Sequence, residues 1–99
     1  MNTLQGLQQW YQSHCDGDWE HCYGVKIGTL DNPGWGVIIE LTDTELVDRP
    51  FTEVQRLEHD TDWIHCRVQD GKFEGSGGVF MLEEILKVFL TWATVNQTI

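Results

Sequence analysis

The sequence predicts an α+β fold, an antiparallel sheet of about five strands flanked by an N-terminal and a C-terminal helix. Three observations lead there. Apolar residues recur at helical spacing at both ends of the chain, whereas between Tyr23 and Gln69 they tend to alternate. Connections between the alternating runs are tight turns, which impose antiparallel pairing because a parallel crossover needs a dozen residues or more. With 99 residues, 40% of them apolar, the chain suits one domain over residues 1–99 with a single core.

Each element has its own local reason. Leu4, Leu7, Trp10 and Tyr11 make Thr3 to Ser13 an amphipathic helix, which stops in the turn-forming Cys15-Asp16-Gly17-Asp18. Tyr23 to Leu30 alternates, with Tyr23, Val25 and Ile27 on one face and Gly24, Lys26 and Gly28 on the other. Asp31-Asn32-Pro33-Gly34 then turns the chain, since proline presets φ and glycine accepts positive φ. Trp35 to Leu41 resumes the strand pattern and closes a hairpin, its Trp35, Val37, Ile39 and Leu41 sharing a face. An acidic loop, Thr42 to Arg49, ends at Pro50 and leads to a more weakly patterned strand over Phe51 to Glu58. Asp60-Thr61-Asp62 turns into Trp63 to Gln69, where Ile64, Cys66 and Val68 face one way. Asp70-Gly71 is a favoured two-residue hairpin turn before Lys72 to Glu74. Gly75-Ser76-Gly77-Gly78 then looks like a strand-to-helix joint needing unusual φ. The last element carries Leu82, Ile85, Leu86, Phe89 and Ala93 as a core-facing helical stripe.

Charge narrows the function classes. Six Lys plus Arg against sixteen Asp plus Glu give a net charge of −10, which repels phosphate backbones and excludes nucleic acid as a direct partner. A basic protein is the expected partner. No apolar run approaches the ~20 residues of a membrane span, and Met1 to Gln12 lacks the basic start of a secretory signal. The expected location is the cytoplasm, where Cys15, Cys22 and Cys66 stay reduced. An exposed edge strand could pair two copies in a homodimer.

Several clusters hold chemistry-bearing side chains in arrangements that ordinary structure also explains. His14-Cys15, His21-Cys22 and His65-Cys66 hold zinc-type ligands, but neighbouring strand residues point to opposite faces and no Cys-x-x-Cys occurs. A calcium loop opening at Asp16 would need Gly and Glu where His21 and Ile27 stand. Cys15 and Cys22 sit among Asp16, Asp18 and Glu20, which disfavours a reactive thiolate. Asp60, Asp62 and His65 could exchange protons, although sixteen acids make such groupings ordinary. The glycine cluster lacks the Lys-Ser/Thr of a phosphate loop. No catalytic residue, metal or cofactor is therefore expected; a small metal-binding or cysteine-dependent enzyme using the His-Cys pairs is the alternative. Among five tryptophans, Trp10 and Trp92 fall on helical stripes and belong to the core. Trp35 starts a strand on its apolar face and suits the core, whereas Trp19 and Trp63 each follow an Asp among further acids, in the manner either of aromatic anchors with a charged collar or of rings packed under their own turns.

Longer strings carry a resemblance. Trp10-Tyr11-Gln12-Ser13-His14-Cys15-Asp16-Gly17-Asp18-Trp19-Glu20-His21, Tyr23-Gly24 and Thr29-Leu30-Asp31-Asn32-Pro33-Gly34-Trp35 resemble the immunity protein 53 family. So do Asp62-Trp63-Ile64, Lys72-Phe73-Glu74-Gly75, and Gly77-Gly78 ahead of Leu82-Glu83-Glu84-Ile85-Leu86. The likeness runs from Leu7 to Ala93 and departs at Val79-Phe80-Met81, where proline and a polar helix cap would be expected. It implies a bacterial immunity protein of a polymorphic toxin system, one that binds and neutralises a toxin encoded beside it, and supplies no catalytic residues. Many such toxins are nucleases with basic clefts, which an acidic inhibitor suits by steering and by filling phosphate subsites. Eight acids from Glu40 to Asp62 against Arg49 and Arg56 fit that picture. The expected toxin-binding residues are Asp16, Asp18, Trp19, Glu20, Trp35, Asp60, Asp62 and Trp63.

Overall fold

In the computed structural model, which describes residues 2–57 and 61–94, the chain begins with two helices, α1 (Thr3–His14) and the four-residue α2 (Trp19–Cys22). Five strands follow, β1 (Val25–Leu30), β2 (Gly34–Glu40), β3 (Val54–Leu57), β4 (Trp63–Gln69) and β5 (Lys72–Gly77), then α3 (Leu82–Thr94). The strands make one antiparallel sheet in the order β1-β2-β5-β4-β3, as the alternation and tight turns predicted. β5 comes last in the chain yet lies at the centre, with β1 and β3 as the edges.

α1 starts at a capping box. The Asn2 side chain accepts the Gln5 N–H (2.8 Å) and the Gln5 side chain accepts the Asn2 N–H (3.2 Å). Leu7 and Trp10, three residues apart, are its buried face. α2 fills the gap between the predicted turn, Cys15 to Asp18, and the predicted strand, whose first two residues, Tyr23 and Gly24, fall outside β1. Its Trp19 meets the ring of Tyr23, the C-cap four residues on, in a tilted contact at 6.2 Å, so helical spacing governs this segment.

α3 lies across β5, β2 and β4, and α1 packs on α3. Register places Val37, Ile39, Phe73, Ile64 and Cys66 on the helix-facing side, all essentially inaccessible. Phe89 of α3 fills the centre, edge-on to Trp10 at 5.0 Å and 5.2 Å from Phe73. Arg49 turns inward and donates to the Trp92 and Ala93 carbonyls (3.1 and 3.0 Å), a cation placed at the negative end of α3. Trp92 is only half-buried, its indole N–H donating to the Pro50 carbonyl at 2.8 Å.

Two turn expectations need correcting. Gly75 and Gly77 belong to β5 and do not adopt positive φ; their role is close approach. A Cβ on Gly75 would stand 2.5 Å from Ile85 Cγ2, so glycine is what lets α3 rest on the sheet. Gly34 likewise begins β2 without positive φ; a Cβ there would run into the Gly77 carbonyl and stand 3.4 Å from the Trp63 ring, while the Asn32–Pro33 peptide is cis. The Asp70-Gly71 expectation holds. Both residues have positive φ, and Gln69 pairs with Lys72 across a two-residue turn.

Candidate functional site

The register sorts the predicted binding residues into two groups. β2 runs from Gly34 to Glu40, and β4 and β5 meet it so that Trp35, Gly77 and Ile64 lie level at one end while Glu40, Lys72 and Gln69 lie level at the other. Over a seven-residue strand the ends are about 20 Å apart.

At the Glu40 end the α1–α2 loop is closed by its own carboxylates. Asp16 accepts the N–H groups of Asp18 (2.9 Å) and Trp19 (3.0 Å), and Glu20 accepts those of Asp16 and Gly17, both at 2.9 Å. Gly17 takes φ +96°, which a side chain would resist. The Trp19 N–H, then that of Asp18, hold the Asp16 carboxyl below its ordinary range. The Glu20 carboxyl is lowered by its own N–H and by those of Asp16 and Gly17. A lowered folded pKa means these bonds support the loop above the ordinary carboxylate range and are lost as pH falls through the folded values. Carboxyl NMR titrations should therefore give Asp16 and Glu20 midpoints below about 3.9 and 4.3, with the loop intact at neutral pH and open in acid. Midpoints at or above those values would contradict the bonding.

Trp19 is not a surface anchor. It is 4% exposed, its indole N–H donates to the Thr42 carbonyl (2.9 Å), and its ring meets Trp10 edge-on at 5.9 Å. The bond to Thr42 ties the α1–α2 loop to the loop after β2, and His14 Nε2 to Glu45 (2.8 Å) ties it again. Leu41 N–H donates to the Gly71 carbonyl at 2.8 Å and brings in the β4–β5 turn. Asp16, Asp18, Asp43, Glu45, Asp48 and Asp70 thus emerge exposed at one end of the sheet. Asp18 makes no side-chain capping bond, and Arg49, the cation of the adjacent loop, is turned to α3.

Trp35, Asp62 and Trp63 are half-buried at the opposite end, away from this group. The Trp35 indole N–H donates to the Val79 carbonyl at 3.0 Å, and Trp63 packs its ring over Gly34. Asp60 lies outside the described residues. The alternation did not mark two exposed apolar residues near this end, Leu57 (69%) and Phe80 (82%). Phe80 falls in the Val79-Phe80-Met81 departure, where the Met81 N–H donates to Gly78 and the helix begins without the polar cap expected there.

The sheet face turned away from the helices carries Lys26, Arg67, Lys72 and His65, with Arg67 Nε donating to Glu74 at 2.9 Å and His65 bonded to Glu53. A depression of about 630 Å³ lies there between Lys26, Ile38, His65, Arg67, Glu74 and Ser76. Half of the chain's six Lys and Arg stand on this face, which concentrates the negative charge elsewhere.

The His-Cys pairs do not converge. His65 and Cys66 point to opposite faces of β4, and burial pushes the Cys66 thiol up to about 12, far from a thiolate at neutral pH. Cys15 caps the end of α1 and Cys22 is the last residue of α2, all three thiols being unpaired. Among the described residues no three His, Cys, Asp or Glu side chains are grouped to hold a metal ion.

A family model described as Immunity protein 53 matches residues 4–94, which includes the Leu7 to Ala93 span of the strings quoted above. No curated protein and no solved structure matches the chain.

Proposed function

Because the chain belongs to the immunity protein 53 family, and is thereby an immunity protein of a toxin system, we propose that it neutralises its toxin by occupancy, docking its acidic loop end on a basic surface. The observation that carries this is the tying of three loops through Trp19, His14 and Leu41, which gathers exposed carboxylates at one end while Arg49 is engaged inside. A toxin that cuts nucleic acid must hold phosphates with basic groups, and carboxylates presented together can take those subsites. The blockade needs no chemistry from the inhibitor. No helix of the described residues is long and apolar enough to cross a membrane, in keeping with action in the cytoplasm of the producing cell.

The test mixes or co-expresses the chain with the toxin encoded beside it. A complex at low ionic strength and restored growth are expected, and absence of both would end the proposal. Asp18→Lys combined with Asp48→Lys should slow association about tenfold with little change in dissociation, the mark of steering by exposed charge. Asp62→Lys, at the far end, should slow it less. Association rates independent of salt would rule steering out.

A further inference from the structure

β1 is an edge strand whose outer side pairs with no other strand among the described residues. The Glu40 N–H donates to the Gly24 carbonyl at 3.0 Å, which fixes the alternation of the antiparallel ladder. Lys26, Gly28 and Leu30 turn their backbone groups to β2, and Val25, Ile27 and Thr29 turn theirs outward. Among the described residues β1 pairs only with β2, and none bonds those outward groups. The register is unbroken over six residue pairs, with no proline and a single charge, Lys26, on the strand. Of the devices by which edges are normally blunted, proline and a bulge are absent from β1 and charge is reduced to Lys26. The other edge, β3, is only four residues long.

The helices leave this edge uncovered. α3 reaches β2, β5 and β4, so Ile27 remains 42% exposed on the helix side of β1. Between α1 and the start of β1 runs a groove of about 470 Å³, walled by Leu7, Tyr11, Tyr23 and Val25 and ending at Lys26 and Glu40. A strand laid along β1 would send alternate side chains toward this groove and the others over Gly28.

We infer that β1 receives an extended segment of the toxin as a sixth strand, apolar at alternate positions and basic where it nears Glu40. This rests on the proposed function for the identity of the partner. Charge decides between occupants: a second copy would bring one chain of net −10 against another, whereas a basic segment is attracted. The groove also adjoins the acidic end, since Glu40 is one residue before the Leu41 that anchors the loops. Main-chain hydrogen bonds supply affinity in such strand addition, and the groove supplies selection.

Amide hydrogen exchange on the chain with and without the neighbouring-gene toxin tests this. The Ile27 and Thr29 amides should exchange freely alone and slow at least about tenfold in the complex, while Lys26 and Gly28 are protected in both states. Ile27→Pro removes an outward N–H where an edge strand admits proline, so the fold should persist and toxin affinity fall about 30-fold. If that variant does not fold, the wild-type exchange pattern decides alone. A complex that forms with unchanged exchange at Ile27 and Thr29 overturns strand addition and leaves the proposed function standing. Slowing of the same amides in the isolated chain, with a doubled mass, would make the occupant a second copy and overturn it too. No complex at all removes the proposed function and this inference with it.

Discussion

Trp19→Ala is expected to destabilise the fold by about 3–5 kcal/mol, the cost of emptying a buried aromatic site. The side chain is almost inaccessible, meets Trp10, Tyr11, His14 and Tyr23, and supplies the N–H that joins two loops at Thr42. Deleting it leaves a cavity and an unpaired carbonyl together. Against a total stability of about 5–15 kcal/mol the loss is large, and urea denaturation measures it directly. Toxin affinity, corrected for the folded fraction, should fall only as far as freeing the loop tied at Thr42 disperses the carboxylates. A variant of near-native stability with affinity abolished would show instead that Trp19 contacts the toxin.

Gly75→Val should cost about 3 kcal/mol or more, at the upper end of overpacking effects. The first added carbon already falls 2.5 Å from Ile85 Cγ2 and 3.2 Å from the Phe73 ring, and valine adds two more. α3 would have to lift from β5, separating Phe89 from Phe73 and loosening the centre of the core. Thermal unfolding reads the effect. Gly28→Val is the control, because a Cβ there meets nothing within 4 Å.

The sequence-level logic succeeded where one local pattern had one structural meaning. Alternation in Trp35 to Leu41 and the αL-compatible Asp70-Gly71 each specify a single arrangement, and both are present. It failed where a residue's reason lies in a distant partner. Gly75 looks like a flexible joint until Ile85, ten residues on, is known to press against it. Trp19 looks exposed because Asp18 and Glu20 flank it, yet the carbonyl that takes its N–H belongs to Thr42. Asp16 and Glu20 read as a charged collar, but most of their bonding is turned into their own loop. Of that acidic string, Asp18 keeps the free carboxylate a partner could meet. The division of Trp35, Asp62 and Trp63 from Asp16, Asp18 and Glu20 follows from strand order, which hairpin signals cannot supply. The outward side of β1 was likewise hidden until β5 proved to sit between β2 and β4.

Because residue 35 pairs with residue 77, a nascent polypeptide that has exposed only its first seventy residues owns two hairpin halves with nothing to bridge them. Assembly waits for the strand synthesised last among the five, and long-separation pairings of this kind slow the search. The pairs β1-β2 and β3-β4 can form beforehand, but the continuous sheet face on which α3 rests exists only once β5 joins them.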